Sequence, residues 1–117
     1  GDFAGGVLKY LKVNPVQRVT IGGGFGKIVK LAQGAMDLHS GRSQVDFEWL
    51  ALRVPEALRA QVNGANSALE VLELMGEKLA QGVAAEALEK VNEVLQGSSL
   101  ADVIVVSRDG KIIGHAQ

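Results

Sequence analysis

Three observations predict an α/β fold. A short β-rich run, Arg18 to Ile21, leads at once into glycines and an apolar, helix-patterned segment. A second β-branched run, Asp102-Val103-Ile104-Val105-Val106, is too short for a helix and reads as a strand buried on both faces. Between them lie segments with helical apolar spacing, each with start and stop signals. Strand, helices and strand in that order imply layers of helix on sheet. The two runs are expected to pair in parallel through a right-handed crossover. The result is a small, mostly parallel sheet with a β-hairpin at the C-terminus, flanked by about five helices, a partial Rossmann-like arrangement.

The elements follow from local chemistry. Phe3, Val7, Leu8 and Leu11 form a helical stripe, with Asp2 as a candidate cap and Asn14-Pro15 as its end. Gly22, Gly23, Gly24, Phe25 and Gly26 read as a glycine-rich turn after the first strand, with positive φ permitted. A helix is expected to open at Lys27, with Ile28, Val29, Leu31, Ala32 and Ala35 on its apolar face and Lys27 and Lys30 on one side. Ser43 reads as the next cap, with Asp46 three residues on. Val45, Trp49 and Leu52 then make a stripe, and Trp49 is expected in the core. Pro55 restarts the chain, and Glu56 to Val62 is helical up to Asn63-Gly64. Ser67 with Glu70 is a capping box, and Leu69, Leu72, Met75 and Leu79 form the stripe behind it. Gly82 is expected to stop that helix. Ala84, Leu88, Val91 and Leu95 make the last one, ended by Gly97-Ser98-Ser99. Asp109-Gly110 is a hairpin signal, and Lys111 to Gly114 returns as an edge strand.

Composition sets outer bounds. The 117 residues fit a single domain, 1–117, and 47% hydrophobic content supports a core. Aromatics are only 4%, so that core is aliphatic. A net charge of −1 without a long basic run argues against nucleic acid. Absence of cysteine excludes disulfides and thiolate metal sites, and two distant histidines give no local metal motif. No apolar run approaches the length of a membrane span, and no signal peptide is read, so a cytoplasmic home is expected. Oligomeric state, including a homo-oligomer, is left open.

The candidate chemistry lies in two loops. Gly22-x-Gly24-x-Gly26 between strand and helix suits an anion or a ribose, because a helix N-terminus offers free N–H groups. It is neither a G-x-G-x-x-G fingerprint nor a P-loop. A tight turn with close helix packing explains it equally. His39-Ser40-Gly41-Arg42-Ser43 gathers an imidazole, two hydroxyls and a guanidinium. Arg42 suits a carboxylate in a bidentate fork. The plain alternative is Ser43 as a cap and Arg42 as a solvated charge. No nucleophile triad, paired-carboxylate site or protein-bound metal site is legible.

At these loops a resemblance enters. The runs GDFAGGVLKYL and NPVQRVTIGGGFGKIVKLAQGAMDLHSGRSQVDFEWLA resemble the C-terminal part of the CbiD family, the cobalt-precorrin-5B (C-1)-methyltransferases of anaerobic cobalamin synthesis. The matching motifs are Gly1-Asp2-Phe3, Phe25-Gly26-Lys27, Lys30-Leu31-Ala32-Gln33-Gly34, His39-Ser40-Gly41-Arg42-Ser43 and Asp46. They are dense over residues 1–53 and looser over 55–117. The resemblance implies the C-terminal third of a two-domain enzyme, inactive without its N-terminal domain. It also implies methyl transfer from S-adenosyl-L-methionine to C-1 of a cobalt-bound corrinoid, giving cobalt-precorrin-6A. On this reading Gly22, Gly23, Gly24, Phe25, Gly26 and Lys27 face the methyl donor, and His39, Ser40, Arg42 and Ser43 face the corrinoid. The catalytic residue is unknown. Two other classes stay open: a free-standing nucleotide- or anion-binding module, and a docking or dimerisation domain without catalysis.

Overall fold

A computed structural model describes residues 3–34 and 45–117, without the side chains of residues 3 and 4. The first helix, α1 (Phe3–Val13), stops where Asn14-Pro15 forbids further helix. Strand β1 (Arg18–Gly23) leads into α2 (Phe25–Ala32). Three short segments follow: α3 (Phe47–Ala51), a 3-10 turn (Glu56–Leu58) and α4 (Arg59–Asn63). Helices α5 (Ala68–Met75) and α6 (Glu77–Leu95) precede the strands β2 (Leu100–Val106) and β3 (Ile112–Ala116).

The sheet runs β1-β2-β3, with β2 central. β1 pairs with β2 in parallel, Arg18 beside Leu100 and Thr20 beside Asp102. β2 pairs with β3 antiparallel, Ile104 beside His115, with an irregularity at Val105/Val106. The sheet is therefore mixed, and the expected α/β layers are present.

Helix α6 is the hub, packing on β2, β3, α1, α2 and α5. Its Leu79, Ala80, Val83, Ala84, Ala87, Val91 and Leu95 are all buried. Val103 and Val105 meet this layer from the sheet and are fully buried. Complete burial of a Val or Leu side chain is worth roughly 1.5–3 kcal/mol, so this helix–sheet seam anchors the fold. Gly114 allows the closest approach: a Cβ there would sit 2.8 Å from the Ala80 carbonyl oxygen.

Several expected boundaries move, each for a physical reason. Gly22 and Gly23 belong to β1, so the glycine turn shrinks to Gly24, and the helix opens at Phe25 rather than Lys27. None of these glycines uses positive φ. The helix break falls at Gly76 (φ 78), and α6 runs straight through Gly82, where open space surrounds the missing Cβ. Buried neighbours on either side of Gly82 outweigh its propensity cost of about 1 kcal/mol. Leu69, Leu72 and Met75 are only partly buried, and Ala68 and Val71 fill the inner face of α5 instead. Leu52 is 65% exposed and Trp49 only partly buried, so Leu50 carries the core contact of α3. Asp46 itself caps α3, accepting from the N–H groups of Glu48 and Trp49. The expected caps Asp2 and Ser43 lie outside the described residues. β2 is fully buried on its helix side alone: Ile104 and Val106 on the other side are half-buried.

Candidate functional site

The C-terminal ends of β1 and β2 point the same way because the strands are parallel. Open α/β sheets bind ligands outside these strand ends. A cleft of about 1110 Å³ lies there. One wall is Gly24 to Lys27 with Lys30, where β1 becomes α2. Opposite stands the start of α5, Asn66 to Leu69, with Leu72 and Glu73 deeper along the helix. The turn after β2 supplies Val106 to Asp109, and Val45 and Phe47 close the side.

The two helix starts in this cleft differ. Ser67 caps α5 by accepting from the Glu70 N–H at 3.2 Å. The Glu70 carboxylate reaches back one residue further than a capping box requires, accepting from the Asn66 N–H at 3.0 Å. Helix α2 has no side-chain cap, because its N-cap is Gly24. Its first-turn N–H groups lack intrahelical partners, and their residues line the cleft. The positive end of the helix dipole adds to them. Lys27, Lys30 and Arg108 bring cationic heads, and Glu73 and Asp109 bring carboxylates. Such a rim suits a ligand with both anionic and polar groups, over an apolar floor that includes Phe25, Phe47, Leu69 and Leu72.

The glycines divide by role. A Cβ on Gly22 would meet Ile104 at 3.0 Å, and one on Gly23 would meet the Lys27 side chain at 2.9 Å. Those two serve packing. A Cβ on Gly26 would make only ordinary contact with Ala68, at 3.9 Å. Gly24 has no protein atom within 4 Å of a Cβ, and its φ of −68 is open to any residue. The fold does not require a glycine at 24; the cleft does gain space from it.

Of the residues expected from sequence, the cleft brings together Gly24, Phe25, Gly26 and Lys27. Gly22 and Gly23 lie back in the strand. His39, Ser40, Arg42 and Ser43 lie outside the described residues. Sequence reasoning missed Arg108, although its place between a buried strand and Asp109-Gly110 put it at a strand end. Ser67 was assigned only to a helix start, and Phe47 had no assigned role.

A second polar cluster sits on the sheet. Asp102 accepts from the Thr20 hydroxyl at 2.6 Å and bonds His115 Nε2 at 2.9 Å, with Arg18 Nη1 at 3.9 Å. The Thr20 hydrogen bond leads in holding the Asp102 carboxyl below its ordinary pKa, with help from His115 and Arg18 against the opposing effect of burial. This cluster is on the opposite side of β2 from α6.

Comparison with known proteins now decides the family. The domain family described as CbiD, C-terminal domain, matches residues 37–117. This chain belongs to the CbiD family. Among curated relatives, the cobalt-precorrin-5B C(1)-methyltransferase of Paramagnetospirillum magneticum is 54% identical over 99% of this chain. The protein of the same name from Brucella anthropi is 50% identical over 98% of it. The CbiD-family chain spans 34% of the length of each. No solved structure matches. No described helix of this CbiD domain is long and apolar enough to cross a membrane. The described residues also hold no group of three His, Cys, Asp or Glu placed to bind a metal ion.

Proposed function

We propose that this domain is the C-terminal part of a cytoplasmic enzyme that moves a methyl group from S-adenosyl-L-methionine to C-1 of cobalt-precorrin-5B, giving cobalt-precorrin-6A. The names and coverage of its relatives support the reaction class and its place in a longer polypeptide. The observation that carries the reading at this site is Gly24: an uncapped helix start beside a wall whose missing Cβ leaves room against no protein atom.

The residues present fit a donor of this kind. First-turn N–H groups of α2 can hold its carboxylate or ribose oxygens, with Lys27 beside them. Phe25 and Phe47 belong to the apolar lining that an adenine ring would meet. The donor supplies a methyl group on a sulfonium; the carbon–sulfur bond breaks as the new carbon–carbon bond forms. The protein's main task is then to align the two carbons. The corrinoid carries acetate and propionate carboxylates, for which Lys30 and Arg108 on the cleft rim and His39, Ser40, Arg42 and Ser43, outside the described residues, are the proposed partners. The N-terminal remainder of the enzyme completes the site.

Calorimetric titration of this chain with S-adenosylhomocysteine tests the assignment. Binding that is lost in Gly24→Val, with the fold intact by circular dichroism, supports a donor site at the start of α2. Equal binding by the variant removes the donor from this wall, and absence of binding moves the donor site to the N-terminal part or to its interface with this domain.

A further inference from the structure

Among the described residues, helices α6 and α2 cover one side of the sheet. The other face presents Arg18 and Thr20 from β1, Leu100, Asp102 and Ile104 from β2, and His115 from β3. Its centre is already drying: Asp102 is 8% exposed and Ile104 half-buried beside Gly22. Its rim is wet, with the Arg18 side chain 48% and the His115 side chain 42% exposed, and Leu100 61% exposed.

We propose that this face seats the N-terminal remainder of the longer polypeptide, with the Asp102 cluster as the polar centre of the contact. The matched family region is a C-terminal domain, and the chain covers 34% of its relatives, so about two-thirds of their length is available to cover the face. Apolar Leu100 and Ile104 supply area to bury. Arg18 and His115 supply donors at the edge, already oriented by a shared carboxylate. The proposal depends on the chain being part of a longer polypeptide, and not on which ligand the strand-end cleft takes.

Site-resolved thiol labelling tests it, since this chain has no native cysteine. Ile104→Cys and, separately, Leu100→Cys are made in this chain and at the aligned positions of a full-length relative. Leu52→Cys, exposed at the end of α3, is the control. Maleimide modification is followed by peptide mass spectrometry. The expected result is labelling at least tenfold slower in the full-length protein at both sheet positions, with no change at the control. Equal rates at 100 and 104 in the two proteins overturn the proposal. Protection that instead grows with concentration of this chain alone also overturns it, in favour of a second copy. The Leu100 variant keeps the test valid if Ile104→Cys disturbs the strand.

Discussion

Thr20 donates its hydroxyl proton to Asp102 Oδ1 at 2.6 Å, joining neighbouring strands across 82 residues of chain. The parallel register places the two side by side, and the same carboxylate then holds His115 from the third strand. One buried group thereby links all three strands. Removing a donor from it weakens more than a pair, because the carboxylate stays buried.

The pH consequence has a definite sign. Asp102 has a folded pKa below its unfolded value. Its contribution to stability is therefore present above the ordinary carboxylate range and is lost as pH falls through the lower, folded value. Thr20→Val removes the leading cause of the depression. The variant should be less stable than wild type at about pH 7, and the gap should narrow by about pH 3. Urea unfolding at both pH values measures it. A gap that does not change with pH would assign the loss to packing alone.

Gly24 and Gly114 should respond in opposite ways to one added methyl group. Gly24→Ala meets open space at a φ that alanine accepts, and reduces the freedom of the unfolded chain. Stability should rise by roughly 0.4–1 kcal/mol or stay level. Gly114→Ala drives a Cβ to 2.8 Å from the Ala80 carbonyl oxygen, a backbone atom that cannot swing away. A loss of about 1–3 kcal/mol is expected. Thermal unfolding of both variants separates the cleft glycine from the packing glycine; a similar loss in both would contradict that division.

What the sequence made legible was whatever depended on neighbours in the chain. Ser67 three residues before Glu70 marked a helix start, and Asp109-Gly110 marked the turn, where Gly110 takes φ 85. The run from Asp102 to Val106 could only be a strand. What escaped was decided by distant contacts. Gly76 and Gly82 look alike locally, yet only Gly76 takes a positive φ, and the buried side of α6 carries the helix through Gly82. Asp102 looked like the polar start of a strand. Its partners are fixed by register, which local pattern does not report; an acid set within apolar Leu100 to Val106 was the one available hint. In the cleft, the glycine wall was legible and its opposite wall was not. Ser67 and Arg108 arrive there only through packing of α5 and the β2–β3 turn.

Arg53 is the last test, because one side chain makes three kinds of contact. Its guanidinium meets Glu86 of α6 through two bonds, at 2.8 and 2.7 Å. A third N–H donates to the Trp49 carbonyl at 2.8 Å. The same plane lies 3.5 Å from the centre of the Trp49 ring. This side chain ties the end of α3 to α6 and explains why Trp49 rests half-buried rather than in the core. Solvent screening limits the ion pair to about 1 kcal/mol or less, since both side chains are partly exposed. Stacking on the ring adds about 0.5–1 kcal/mol. Arg53→Ala should therefore cost about 1–2 kcal/mol in urea unfolding and shift Trp49 emission to longer wavelength as water reaches the ring. Arg53→Lys should recover only a minor share, because an ammonium cannot bridge Glu86 with a planar fork while stacking on Trp49. Full recovery by lysine would show that charge alone, and not guanidinium geometry, holds α3 against α6.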